Sequence, residues 1–249
     1  MGGPTLVALS GGVDSGTVAR LAQTAAAGRV RAATLVGPAV ASAEVERARA
    51  VARAIGIPHD LVPVDPLALE GYRSNPSNRC YFCRSAETAA LRRFGEPLGF
   101  VRFVDGVHRD DLGDARPGIR ALDEAGFEHP LLWAGWGKAE VRAYARTAGL
   151  PNWDLPADAC LASRVPHGTP IDAALLRRVE AAESDLRARG YTRVRVRVGP
   201  DGARVEVDPD ELPRLVRPDE TAAVVEGLVG RGFSRVTIDP RGYARRANS

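Results

Sequence analysis

Between Thr5 and Asp105 the chain alternates short β-branched runs with alanine-rich stretches of helical period. Strands are predicted at Thr5–Leu9, Val30–Val36, His59–Val64 and Phe100–Asp105, with helices between them at Ser15–Ala27, Ser42–Ile55 and Phe82–Phe94. In the second helix Val45, Ala48, Ala52 and Ile55 recur at helical spacing, while Glu44, Glu46, Arg47 and Arg49 take the other side. One face is therefore made for a core and one for water. Strand–helix–strand order of this kind predicts a parallel sheet wrapped by helices, whose ligands gather at the C-terminal strand ends.

A further helix is predicted at Lys138–Ala148, and an irregular proline-rich passage, "GLPNWDLPADACLASRVPHGTPID", follows it. From Ile171 the order changes to helix, strand, strand, helix, strand, at Ala173–Arg189, Arg193–Val198, Ala203–Val207, Asp219–Arg231 and Arg235–Ile238. The fold class expected is α/β with a second, smaller α+β domain. The domains are placed at 1–166 and 167–249, and the tail "RGYARRANS" is expected to fray.

The 249 residues, 45% of them hydrophobic, are enough for a buried core. No apolar run approaches the roughly eighteen residues of a membrane span, and no basic-then-apolar leader opens the chain. A cytoplasmic location and no membrane partner are expected. The 34 Lys and Arg nearly balance 31 Asp and Glu, which argues against an extended nucleic-acid surface. Lys138 is the only lysine, so the remaining cations are arginines, which fork onto carboxylates and phosphates.

In "LVALSGGVDSGTVARLA" a strand ends in Ser10, Gly11 and Gly12, and a helix begins near Asp14 and Ser15. Backbone N–H groups at a helix N-terminus and the two serine hydroxyls suit an anion, and the glycines let backbone approach phosphate closely. The stretch lacks the lysine of a Walker loop and the three-glycine spacing of a dinucleotide fingerprint. The full SGGVDS string resembles the PP-loop of ATP pyrophosphatases, with an adenine nucleotide alpha hydrolase-like fold. That resemblance implies ATP, with Mg²⁺, and release of pyrophosphate.

Cys80, Cys83 and Cys160 are odd in number, which argues against a disulfide framework. In "SNPSNRCYFCRSA" the first two stand where a loop becomes a helix, whose N-terminus favours thiolate. Zinc with a histidine as fourth ligand, a redox dithiol and inert core cysteines are all open readings. A [4Fe–4S] cluster with one iron left free explains three thiols better, because that iron can carry a transferable sulfide.

With "SGGVDS", "NRCYFCRS", "DGVHRDDLGDARPG", "WAGWGKAEVRAYARTAGLPNWDLPADACLASRVPHG" and "RVRVRVG" together, nearly the whole chain resembles the LarE family. These are ATP-dependent sulfur transferases that build the nickel-pincer nucleotide cofactor. The resemblance implies a pyridinium mononucleotide substrate bearing two carboxylates, each adenylated and then converted to a thiocarboxylate. Three-cysteine members hold a [4Fe–4S] cluster, whereas one-cysteine members give up the sulfur of the residue at Cys160; Cys80, Cys83 and Cys160 place this chain with the former. A homo-oligomer, hexameric in relatives, is expected by analogy. Departures from the family pattern include Gly16, where threonine is common, and His108, Ala115 and His167.

The ATP-binding set expected is Ser10, Gly11, Gly12, Asp14, Ser15, Gly106 and Asp110, with Asp105 and Asp111 at the same sheet edge and Arg116 near it. Ser163 and Arg164 are placed near substrate by their closeness to Cys160. In "RVRVRV" alternation sets Arg193, Arg195 and Arg197 on one face, where an anion or the carboxylates of Glu183 and Glu206 should offset their repulsion. Arg195, Arg197, Glu183 and Glu206 complete the expected substrate set. The rivals are sacrificial sulfur transfer from Cys160 alone, a PP-loop tRNA thiolase and a nucleotide sensor without catalysis.

Overall fold

The computed structural model describes residues 3–25, 29–112, 117–156 and 159–243. The chain packs as two compact units. One runs up to Tyr72 and from Pro76 to Ala159; the other joins Arg73–Asn75 to the residues from Cys160 onward. No helix among the described residues is long and apolar enough to cross a membrane.

The first unit is built on β1 (Thr5–Ala8), β2 (Val30–Val36), β3 (His59–Pro63) and β4 (Arg102–Val104), in the order β3-β2-β1-β4. Every pairing is parallel, with Thr5 opposite both Val30 and Arg102. The α/β expectation is therefore met. Its helices are α1 (Val13–Ala25), α2 (Ser42–Ile55), α3 (Glu70–Arg73), α4 (Arg79–Gly95), α5 (Pro117–Glu124), α6 (Pro130–Trp133) and α7 (Lys138–Thr147).

Side chains alternate across a strand, so β1 feeds two cores. Val7 and Leu9 enter one with Val18, Val51, Ile55, Val141 and Leu150. Leu6 enters the other with Val62, Leu91, Phe103, Leu122 and Phe127. With both faces covered, the strands read as apolar runs rather than as polar–apolar alternation. The chain starts in the sheet's interior, moves outward through β2 and β3, and then returns to the other side of β1 as β4. This reversal opens a crevice at the C-terminal ends of β1 and β4.

The described boundaries fall within two residues of expectation, with one exception. The helix predicted from Phe82 begins at Arg79, so Cys80 and Cys83 lie inside its first turns; the polar "SNRC" run hides that start. The last residues predicted for the first helix, Ala26 and Ala27, and most of the tail lie outside the described residues.

The second unit carries α8 (Ala173–Ala188), β5 (Val194–Gly199), β6 (Gly202–Val207), α9 (Leu212–Leu215), α10 (Pro218–Gly230) and β7 (Val236–Ile238). β5 and β6 form an antiparallel hairpin, and β7 joins β6 in parallel. Asp172 caps α8 by accepting from Leu175 N at 2.7 Å, and α8 packs on β5. Leu176, Val179, Ala182, Val194, Val196, Val205 and Val207 are all buried.

Candidate functional site

The SGGVDS turn occupies the crevice. Gly11 has φ +82°, and a side chain there would meet Ala48 N at 2.8 Å and Glu44 O at 2.9 Å, so only glycine fits between β1 and α2. The turn is braced from within: Ser15 Oγ accepts from Ser10 N at 3.1 Å, stands 3.0 Å from Ser10 Oγ, and donates to Gly12 O at 3.2 Å. Asn152 Nδ2 donates to Gly11 O at 2.9 Å from the far side. The N–H groups in the first turn of α1 are those a helix leaves for an anion. At Gly16 a methyl would meet Asn152 Nδ2 at 3.1 Å and Val51 Cγ1 at 3.2 Å, so the helix packs closely here.

The loop after β4 closes onto this turn. A methyl on Gly106 would come within 2.7 Å of Ser15 N and 2.9 Å of Asp14 C, so the two loops touch backbone to backbone. Lys138 Nζ reaches both carboxylate oxygens of Asp14 at 2.7 Å. Asp110 Oδ2 accepts from Lys138 N at 2.7 Å, capping α7, and that N–H is the main reason its carboxyl titrates below the ordinary range. His108 is buried, with Nε2 3.7 Å from Asp14 Oδ1 and Nδ1 3.5 Å from Asp111 Oδ2. Ser10, Gly11, Gly12, Asp14, Ser15, Gly106 and Asp110 are thus brought together within one unit. Arg116 and Ala115 lie outside the described residues.

Behind the loop lies a buried charged group. Glu128 bridges to Val104, and the backbone bonds Glu128 N to Phe103 O and Asp105 N to Glu128 O extend the sheet edge. His129 is thereby set beside Asp105, with Nδ1 2.9 Å from Asp105 Oδ1 and Nε2 2.9 Å from Asp123 Oδ1. The hydrogen bond to Asp105 leads the effects that lift the imidazolium to about 9. Asp105 Oδ1 also accepts from Val107 N at 2.9 Å, while Oδ2 is buried without a hydrogen-bond partner among the described residues.

Cys80 is exposed and Cys83 half-buried, and neither is in a disulfide. Cys83 Sγ donates to Glu87 Oε1 at 3.3 Å, one helical turn on, and Arg84 holds the other oxygen at 2.8 Å. The Glu87 carboxylate chiefly raises the pKa of the Arg84 guanidinium, with burial opposing it. Cys160, exposed and in no disulfide, belongs to the second unit. Among the described residues no group of three or more His, Cys, Asp and Glu side chains stands ready for a metal ion.

Around Cys160 the second unit is tightly wired. Arg164 forks onto Glu183 at 2.7 and 3.0 Å, and its third nitrogen donates to Cys160 O and Ser163 Oγ, both at 3.0 Å. Glu183 also accepts from Val196 N at 3.1 Å and Arg187 at 2.9 Å. Arg197 Nε meets both oxygens of Glu206, at 2.9 and 3.0 Å, and Nη1 donates to Ser163 O at 3.1 Å. Arg195 is buried over the Tyr243 ring, whereas Arg193 turns to Asp208 at 3.5 Å.

A family model described as asparagine synthase matches residues 2–75, the part that holds β1 and the SGGVDS turn. The chain is 42% identical over 238 residues to an uncharacterized protein of Synechocystis sp., covering 96% of this chain and 89% of that one. Over 239 residues it is 31% identical to the pyridinium-3,5-bisthiocarboxylic acid mononucleotide synthase of Lactiplantibacillus plantarum, covering 95% of this chain and 86% of the synthase. The chain belongs to the LarE family. As a LarE-family chain it is a PP-loop, ATP-dependent sulfur transferase.

Sequence reasoning did not assign Lys138, Asn152 or His129 to the LarE-type site. Only Lys138 carried a signal: a sole lysine, in an arginine-rich chain, at the start of a helix.

Proposed function

We propose that this chain converts the carboxylates of pyridinium-3,5-biscarboxylic acid mononucleotide to thiocarboxylates, with ATP as activator and sulfur delivered through Cys80, Cys83 and Cys160. The observation that carries the reading is the meeting of the SGGVDS turn, Gly106 and the Lys138–Asp14 pair at the sheet's switch point, in a chain related along its length to a synthase of that name.

A carboxylate is a poor electrophile, because its oxygen leaves badly. In the proposed first step that oxygen attacks the α-phosphorus of ATP, an acyl adenylate forms, and the bond to pyrophosphate breaks. The N–H groups of α1, the Ser10 and Ser15 hydroxyls and the Lys138 ammonium stabilise the departing charge. Asp14 and Asp110 are the hard oxygen donors for Mg²⁺. In the second step a sulfur nucleophile attacks the acyl carbon, the C–O bond breaks and AMP leaves, so one sulfur replaces one oxygen. Water must be kept out, since acyl adenylates hydrolyse.

The unbridged sulfurs of Cys80, Cys83 and Cys160 are a donor set that suits iron, with no fourth cysteine in the chain. A [4Fe–4S] cluster held there supplies, when bound, an open iron able to carry sulfide. Arg195 and Arg197 are the proposed ligands of the substrate phosphate, with Glu206 aiming Arg197, Glu183 holding Arg164, and Ser163 and Arg164 shaping the Cys160 neighbourhood. A homo-oligomer, hexameric by family analogy, is part of the proposal. Anaerobic purification tests the sulfur route. About four iron and four acid-labile sulfide per chain are expected, and stoichiometric zinc or bare thiols would contradict it.

A further inference from the structure

Asn75 is completely buried and sits in the left-handed region, at φ +53°, the only described non-glycine residue to do so. Asparagine tolerates that conformation better than most residues, and here both its backbone and its side chain are used. Its carboxamide nitrogen donates to Pro166 O at 2.7 Å and Thr169 O at 2.9 Å, with Val165 O at 3.5 Å. Its own carbonyl accepts from Gly168 N at 2.8 Å, and Arg73 O accepts from Ile171 N at 2.8 Å. Strap Arg73–Asn75 is thus bound into the second unit, against the loop that follows Cys160. Between Cys160 and that loop lies only the Leu161–Arg164 turn, whose Arg164 holds the Cys160 carbonyl.

We infer that Asn75 is a positioning residue for sulfur transfer: its carboxamide gathers the 165–169 carbonyls and so fixes the backbone that presents Cys160. The strap precedes Cys80 by only five residues in sequence. The carboxamide ties the turn closed by Thr169 N and Pro166 O, at 3.1 Å, to the strap. The side chain at 75 therefore sets the arrangement of that turn.

The inference rests on the proposed sulfur transfer for its activity readout, and the test separates the two. Asn75→Gly keeps the backbone conformation and deletes the donors; Asn75→Asp keeps the shape and replaces donors with acceptors. For both, substrate-dependent pyrophosphate release and thiocarboxylate formation are measured on the full chain, with thermal unfolding alongside. Pyrophosphate release within about twofold of wild type, with thiocarboxylate formation down about tenfold or more, is expected from a misplaced nucleophile. Unchanged thiocarboxylate formation, or parallel loss of both steps, would overturn the positioning role.

A second measurement does not depend on the reaction. In a Cys80→Ser/Cys83→Ser background Cys160 is the only thiol, and its rate of alkylation by iodoacetamide reports how it is presented. A rate altered by Asn75→Gly is expected even if wild type transfers no sulfur to this substrate; an unaltered rate would overturn the inference.

Discussion

Lys138 Nζ stands 2.7 Å from each carboxylate oxygen of Asp14, joining the first turn of α7 to the SGGVDS turn from the opposite end of the unit's sequence. The pair is about one-third exposed, so its worth to stability is small; its importance is placement. An ammonium parked on a carboxylate beside an anion site is available to a phosphate once a nucleotide arrives.

Lys138→Met is expected to lower kcat/KM for ATP about a hundredfold or more while leaving the fold intact, since the lost charge serves the departing pyrophosphate. Pyrophosphate release reads the effect. Because no other lysine exists, acetylation by acetic anhydride adds at most one lysine adduct, and ATP should protect against it. Labelling unaffected by ATP would separate Lys138 from the nucleotide.

Gly106→Ala places a methyl against backbone atoms of Ser15 and Asp14 at under van der Waals distance, where no flexible side chain can yield. The two loops must part. A loss of about 1–3 kcal/mol in urea unfolding is expected, together with at least about tenfold weaker ATP binding from the disturbed geometry. Retained affinity by calorimetry would contradict the contact between the loops.

The strands, the parallel sheet and the turn at the end of β1 were legible because each is a local pattern: a β-branched run, a helical period, two glycines between them. Other features depended on pairs far apart in the chain. His129 reads as a plain loop histidine until Glu128 adds to the sheet edge and sets it beside Asp105. Asn75 lies in a motif chosen for its cysteines, and its partners come from the other end of the sequence. The arginines of "RVRVRV" suggested an anion by their repulsion; the fold answers part of that charge with Glu206 and Asp208. Alternation alone could not say which arginine took which partner.

The His129 clamp gives the protein an alkaline limb. Its folded-state pKa is raised from 6.5 to about 9, so its contribution is complete below about pH 6.5 and lost as pH rises through about 9. The loss is at most about 3 kcal/mol. Urea midpoints for wild type should fall between pH 7 and 10, and His129→Gln should flatten that dependence. An equal slope in the variant would assign the limb to other groups.

Arg164 and Glu183 are almost wholly buried, at 2% and 1% side-chain exposure, and each also bonds a backbone group, Cys160 O and Val196 N respectively. Glu183→Ala leaves a guanidinium without its partner and should cost about 3–5 kcal/mol. Replacing both, as Arg164→Met/Glu183→Leu, should cost less than that single change. Chemical denaturation of the variants reads the difference, and a costlier double variant would contradict the buried-pair account.

Mass spectrometry of the reaction product tests the account most directly. Anaerobic protein is given ATP, Mg²⁺, a sulfide source and pyridinium-3,5-biscarboxylic acid mononucleotide. The predicted result is a thiocarboxylate, formed with AMP and pyrophosphate and absent with Cys160→Ala. ADP and phosphate instead of AMP and pyrophosphate, or a carboxylate left unchanged, would contradict it.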